Sequence, residues 1–212
     1  MSKIVLISFY YRICLSNRTL ASSLKQNDHD VSLIFLKDDR TVVLDQINPK
    51  AEQYQILSLN KFIGCGMDVD PITTIEWNLF DSLLQELNPD IVGVSARSMH
   101  LGLSLKVARK VRFLNNSILL IAGGYGPTID PESFLEEFDY VCLGEGELAF
   151  PALLDEKNLT NKKNFAFKEN GILKYNGFHK PVDLDNQPWP DWGHEEKYMI
   201  ADNQIKYGSS FY

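Results

Sequence analysis

The 212-residue chain predicts a doubly wound α/β fold. Three observations carry that expectation. Short runs that are apolar throughout recur along the first two-thirds of the sequence, amphipathic segments of helical spacing lie between them, and Gly-rich stretches follow several of the runs. Strands that are apolar at every position, rather than at alternate ones, are expected where helices cover both faces of a parallel sheet.

Ile4 to Phe9 is the first such run. Ser16 to Gln26, with Leu20, Ala21 and Leu24 on one face, follows as a helix, and Val31 to Leu36 as a second strand. Periodicity weakens from Asp38 to Asp68: Ile56 to Phe62 reads as extended, Gly64-Cys65-Gly66 as a turn, and the whole stretch as connection. At Asp70-Pro71 an N-cap carboxylate precedes a first-turn proline. Ile72, Ile75, Leu79, Leu83 and Leu87 then recur at helical spacing until Asn88-Pro89 ends the helix. Ile91 to Val94 is the third strand. The helix after it turns Leu101, Leu105, Ala108 and Val111 inward and presents Lys106, Arg109, Lys110 and Arg112 as a solvated basic face. Ile118 to Ala122, a short helix from Pro131 to Glu137, Tyr140 to Leu143 and a closing helix from Glu147 to Leu154 complete the alternation. Right-handed crossovers then favour a five-stranded parallel sheet in flavodoxin-like order.

Beyond about residue 157 the pattern changes. Asn164 to Lys168 and Ile172 to Tyr175, around Glu169-Asn170-Gly171, form a small C-terminal β-hairpin. The next segment, with Pro181, Pro188, Trp189, Pro190 and Trp192, reads as an extended strap in which both tryptophans are packing anchors. The expected organisation is an α/β domain over residues 1–157 and a hairpin with a linker strap over 158–212.

Composition excludes several functions. A net charge of −7 argues against a nucleic-acid partner, since phosphate backbones are bound through Lys and Arg clusters. The apolar opening run is too short to span a bilayer, so no membrane partner is expected. Cys14, Cys65 and Cys142 are odd in number and widely spaced, which fits neither a disulfide framework nor a C-x-x-C site and places the chain in a reducing cytoplasm.

In open α/β sheets, ligands bind outside the carboxyl ends of the strands. The loops expected there are Tyr10-Tyr11-Arg12-Ile13, Ser95-Ala96-Arg97-Ser98-Met99-His100, Gly123-Gly124-Tyr125-Gly126-Pro127-Thr128 and Gly144-Glu145-Gly146-Glu147. Glycine lets a ligand approach the backbone closely, although tight turns alone also use it. Neither a dinucleotide fingerprint, a P-loop, a nucleophile elbow nor a receiver-type aspartate occurs, which leaves a large cofactor as the ligand.

Pro89-Asp90-Ile91-Val92-Gly93-Val94-Ser95, Gly123 to Thr128, Phe138-Asp139-Tyr140-Val141 with Gly144 to Glu147, Phe150-Pro151-Ala152-Leu153-Leu154 and the strap from Asp183 to Pro190 together resemble the cobalamin-binding domain that precedes the catalytic barrel in B12-dependent radical SAM enzymes. The resemblance implies a corrinoid over the strand carboxyl ends with its nucleotide tail beside the Gly-Gly loop, at Gly123, Gly124 and Thr128. It implies further contacts from Ser95, Ser98, Arg97, Tyr125 and Gly126, and a tail pocket bordered by Gly144, Glu145 and Gly146. Other cobalamin domains carry Asp-x-His-x-x-Gly after the first strand. Here Tyr10, Tyr11 and Arg12 stand in its place, so no histidine of that loop ligates cobalt and the three residues cover the lower corrin face instead.

The Cys-x-x-x-Cys-x-x-Cys signature of radical SAM enzymes is absent from the chain. The 4Fe-4S cluster and S-adenosylmethionine are therefore expected in a downstream barrel, in cis or as a separate chain, with Tyr207 to Tyr212 resembling its lead-in. The expected function is to hold the corrinoid for methyl transfer or for a cyclase or rearrangement reaction, with no catalytic residue and no metal ligand in this chain. The alternative is a binding or scaffold module of the same fold that contacts a partner domain without cobalamin. Of the remaining polar residues, His29, His179 and His194 read as surface positions, His100 as a rim residue within reach of the cofactor, and Glu145 and Glu147 as helix-capping carboxylates.

Overall fold

The computed structural model describes residues 1–9, 14–39, 71–155 and 163–208. The readings made at Tyr10 to Ile13, over residues 40–70 with Cys65 and Asp70, and at residues 209–212 lie outside the described residues.

The chain opens with β1 (Lys3–Phe9), α1 (Leu15–Gln26) and β2 (Asp30–Leu36), and continues with α2 (Thr74–Leu87) and β3 (Ile91–Ser95). A 3-10 turn at Ser98–His100 leads into α3 (Leu101–Leu114), followed by β4 (Leu119–Gly123), α4 (Tyr125–Ile129), α5 (Pro131–Phe134), β5 (Tyr140–Cys142) and α6 (Gly146–Asp155). The last third supplies β6 (Phe165–Glu169), β7 (Ile172–Tyr175), β8 (Lys197–Ala201) and β9 (Gln204–Tyr207).

Among the described residues these strands form one sheet of nine, in the order β7-β6-β5-β4-β3-β1-β2-β8-β9. β1 to β5 are parallel and adopt the expected flavodoxin-like order. The expectation of five strands is corrected at both edges. β6 pairs antiparallel with β5 and carries β7, while β8 pairs parallel with β2 and turns back into β9. A five-stranded sheet would leave the outer backbone groups of β2 and β5 unpaired, and the last third of the chain satisfies both rows. The segment after the strap is thus part of the sheet, with Met199, Ile200 and Ala201 buried.

Side-chain parity divides the core. Val5, Ile7, Phe9, Val92, Val94 and Leu120 face α2 and α3. Ile4, Leu6, Ile91 and Ile121 face α1 and α6, where Ala21, Leu24, Phe150 and Leu153 meet them. Gly93 lies on this second face, where a Cβ would stand 2.8 Å from Leu6 Cδ2.

Helix α2 begins later than its sequence signals imply. Its N-cap is Thr73, whose hydroxyl accepts from the Glu76 amide at 3.1 Å while the Glu76 carboxylate accepts from the Thr73 amide at 2.8 Å. The shifted start turns Trp77, Phe80, Leu83 and Leu84 inward and leaves Ile75, expected inside, exposed. Glu76 is fully buried, 2.9 Å from the Lys37 ammonium, and also accepts from the Asn203 amide. One carboxylate therefore ties together the start of α2, the exit of β2 and the β8–β9 turn. The basic face of α3, expected to be solvated, is partnered: Arg109 meets Glu137 at 2.7 Å, Lys110 meets Asp81 at 2.7 Å, and Lys106 lies 4.8 Å above the Trp77 ring.

The strap crosses α1. Arg18, 2% exposed, lies between the rings of Phe35 and Trp192 at 5.4 and 4.6 Å and donates to the Asp191 carbonyl at 2.8 Å. The Asp191 carboxylate sits between Lys25 at 3.1 Å and Lys197 at 2.9 Å. Burial alone would push it up, but hydrogen bonds from Lys197 and Lys25 outweigh that and hold it below the usual carboxylate range. Trp192 is an anchor as expected. Trp189 is not: the residue is 89% exposed, and its carbonyl accepts from the Ser22 hydroxyl. No helix among the described residues is long and apolar enough to cross a membrane.

Removing a single member of a buried ion pair costs about 3–5 kcal/mol. Glu76→Ala is expected to lower the unfolding free energy by about that amount in urea titrations. A loss no larger than that of an exposed helical substitution would remove Glu76 from this role.

Candidate functional site

The strand order reverses at β1, which has β2 on one side and β3 on the other, and this opens a crevice at the carboxyl edge. Register fixes what faces it. Ser8 of β1 pairs with Ser95 of β3, and Ser95 with Gly123 of β4. The Asn17 side chain donates to the Ile7 carbonyl at 3.2 Å and pins the start of α1 beside the crevice.

Two cavities adjoin there and share Ser16, Ser95 and Gly124. The inner one, about 270 Å³, runs down the α1 and α6 side of the sheet between Leu6, Asn17, Leu20, Gly123 and Phe150. The outer one, about 390 Å³, lies over the strand ends between Ser8, Phe9, Cys14, Arg97, His100 and Tyr125.

The glycines of the β4 loop have separate tasks. Gly124 has a φ of 96°, and a Cβ on it would come within 2.9 Å of the Ala96 carbonyl oxygen. Gly126 is tighter still, with a Cβ falling 2.4 Å from the Arg97 carbonyl carbon. These two allow the β4 loop to close against the β3 loop, where the Gly126 amide donates to Ala96. Gly123 is different: a Cβ there would meet only Cys142 Cβ, at 3.7 Å, and its bare backbone borders the inner cavity.

Thr128 lines neither cavity; its hydroxyl donates to the Gly124 carbonyl at 2.8 Å and accepts from the Gly144 amide at 3.0 Å, joining the two Gly-rich loops. Ser98 is exposed and lines neither cavity. Gly144, Glu145 and Gly146 border the inner cavity, and the Glu145 carboxylate also accepts from the Val182 amide of the strap at 2.8 Å. Arg97 and Tyr125 are exposed on the wall of the outer cavity. Tyr10, Tyr11 and Arg12 lie outside the described residues.

His100 is buried beneath the outer cavity, with its ring 5.1 Å from that of Phe9. Its Nδ1 accepts from the Arg97 amide at 3.2 Å, so Nε2 carries the proton. Nε2 stands 3.1 Å from an Asp38 oxygen, a close contact of opposite groups without the alignment of a hydrogen bond. Both ring nitrogens thus face protein groups, and His100 shapes the β3 loop from below.

Burial raises Glu147, with the charge of Glu145 adding to the effect and backbone hydrogen bonds at the α6 start partly opposing it. Burial also pushes the Cys142 thiol up to about 12, which leaves it a neutral wall of the inner cavity. Ser8, Ser16, Asn17, Leu20 and Phe150 did not emerge as site residues from the sequence. Ser8 had a signal, a hydroxyl interrupting the apolar run from Ile4 to Phe9. The others are ordinary helix positions that only packing brings to the crevice.

An open parallel sheet with a Gly-rich crevice at its switch point defines a ligand-holding α/β domain. Residues 61–154 match the family described as the B12 binding domain. The match covers the middle of the chain, from the segment before α2 to the end of α6. An uncharacterized methyltransferase of Pyrococcus horikoshii is 33% identical over 76 residues, which are 34% of this chain and 17% of that protein. The chain thus matches only a small part of that relative's length. Among solved structures, a UDP-GlcNAc 2-epimerase of Neisseria meningitidis bound to UDP-GlcNAc aligns at 12% identity and a TM-score of 0.33, over 57% of this chain and 31% of its own. The glycosyltransferase VinC in complex with DTDP aligns at 13% identity and a TM-score of 0.32, over 71% and 43%.

The residues present suit a corrinoid. The inner cavity is mostly apolar, and Gly123 and Gly146 leave one wall without side chains. The outer one lies over the strand ends and holds a buried hydroxyl, that of Ser8, with no hydrogen-bond partner among the described residues. No group of three or more His, Cys, Asp or Glu that could hold a metal ion occurs among the described residues.

A carboxyl group raised by folding destabilises the protein while ionised. For Glu147 that cost is present above its folded pKa, is relieved as the pH falls through it, and is gone below the ordinary value of 4.5. Glu147→Gln is therefore expected to melt above the parent near neutral pH, with the difference closing as the pH falls toward about 4. Melting curves across that range test it, and a difference that grows on acidification would contradict the assignment.

Proposed function

We propose that this chain is the corrinoid-holding part of a B12-dependent radical SAM enzyme, with the tail of the cofactor in the inner cavity and its ring over the outer one. The observation that carries the reading is that the two cavities adjoin at Ser95 and Gly124, within the stretch that matches the B12 binding domain. When bound, a corrinoid supplies a cobalt centre able to carry an alkyl group.

The chain's own residues hold and orient the cofactor. Gly123 and Gly146 leave room for the tail, Phe150 and Leu20 flank it with apolar surface, and Ser95 stands where ring and tail meet. Arg97 and Tyr125 border the ring.

The reaction belongs to a second domain that supplies the iron–sulfur cluster and S-adenosylmethionine. Two observations support that context. The Pyrococcus horikoshii relative, far longer than the matched stretch, is described as a methyltransferase. Leu15, Tyr125, Ile129 and Leu148 are exposed on the first and last turns of helices at the carboxyl edge, an apolar border suited to a covering domain.

Mixing the purified chain with hydroxocobalamin and desalting it is expected to leave corrin absorbance in the protein fraction. Gly123→Val, whose Cβ meets no backbone atom, narrows the inner cavity and is expected to weaken retention by tenfold or more, equivalent to about 1.4 kcal/mol. A parent chain that emerges colourless would sink the reading. For the wider context, the encoding locus or a partner chain should carry Cys-x-x-x-Cys-x-x-Cys.

A further inference from the structure

We infer that Ser8 is a ligand-contacting residue, whose hydroxyl hydrogen-bonds the amide-fringed ring of a corrinoid rather than its nucleotide tail. The inference rests on the cobalamin reading above and adds to it a contact on β1 itself.

Ser8 is 3% exposed, and its Oγ has no hydrogen-bond partner among the described residues. An unpartnered buried hydroxyl destabilises a fold, and alanine would fit the same place without that cost. The position is otherwise well suited to an apolar residue: Ser8 follows Ile7 near the end of a buried strand, between Phe35 of β2 and Ser95 of β3 in register. A hydroxyl there, with no partner among the described residues, is available to a ligand.

Geometry says where that partner comes from. Ser8 lines the outer cavity and not the inner one. Side-chain parity sets it on the sheet face of Ile4 and Leu6, one step beyond Leu6, which lines the inner cavity. Ser95, its neighbour on β3, borders both cavities. The two hydroxyls thus stand on adjacent strands, Ser8 under the ring position and Ser95 at the passage to the tail. The Trp77 indole nitrogen is also buried without a hydrogen-bond partner among the described residues, but it lies on α2 and lines neither cavity. A hydroxyl both donates and accepts, which matches the peripheral amides of a corrin ring.

Cobinamide, a corrinoid with the same ring and no nucleotide tail, separates the two subsites. Affinities of the full chain for cobalamin and for cobinamide are measured by visible titration in the parent, Ser8→Ala and Gly123→Val proteins, beside thermal melts of each without ligand. Ser8→Ala is expected to weaken both corrinoids by the same factor, about tenfold, while raising the ligand-free melting temperature by a few degrees. Gly123→Val is expected to weaken cobalamin and spare cobinamide. Lower affinity joined to higher stability is a signature that a structural serine does not produce.

Unchanged corrinoid affinity in Ser8→Ala overturns the inference and leaves the cobalamin reading standing. So does a ligand-free Ser8→Ala protein that melts below the parent, because the hydroxyl then serves the fold. A parent chain that binds neither corrinoid overturns the cobalamin reading and this inference with it.

Discussion

Parallel pairing of β1 with strands on both of its sides is the constraint from which the site follows. Because β2 and β3 both run with β1, their carboxyl ends and those of β4 and β5 reach one edge, and the helices that follow start there. The chain leaves β1 in one direction for β2 and later returns on its other side for β3. No helix can cover the gap between those two crossovers, so the crevice is a consequence of the topology. Ser8, Ser95 and Gly123 then come into line because in-register parallel strands set equivalent residues side by side.

Around that edge the Gly-rich loops divide the work between closing and opening. Gly124 and Gly126 let the β4 loop press against the β3 loop, and the Thr128 hydroxyl ties the same loop to Gly144. Those contacts hold the rim in shape. Gly123 and Gly146 leave space, and the inner cavity exists because no side chain grows from either. His100 adds stiffness from beneath, with one ring nitrogen taken by the Arg97 amide and the other facing Asp38.

The last third of the chain completes the sheet and braces α1. Arg18 between Phe35 and Trp192, and Asp191 between Lys25 and Lys197, fix the strap over the helix whose first turn borders both cavities. Glu145, at the cavity mouth, is bound to the strap through the Val182 amide. Glu76 holds the opposite side, linking α2 to the exit of β2 and to the turn after β8. Strap and site are therefore mechanically connected through α1 and α6.

The parallel core was legible in the sequence because its signals are local. Continuous apolar runs such as Ile4 to Phe9 and Ile91 to Val94 mark strands covered on both faces, and the alternation with helices leaves few right-handed topologies. The Gly-rich loops were legible as a rim for the same reason: each follows a strand directly. Tertiary structure alone decided the rest. The β8–β9 hairpin turns locally at Asp202-Asn203, both at positive φ, but its place in the sheet depends on the unpaired edge that β2 offers. The Thr73–Glu76 capping box that starts α2 is local, but the partners that hold its buried carboxylate, Lys37 and Asn203, are distant in sequence. Ser16, Leu20 and Phe150 became cavity walls through the packing of α1 and α6. Sequence by itself determined which segments become strands and where the glycines fall, since those depend on neighbouring residues. Which glycines close the rim and which leave room for a ligand depended on contacts between β3, β4 and β5, where a difference of about an ångström separates a clash at Gly124 from an ordinary contact at Gly123.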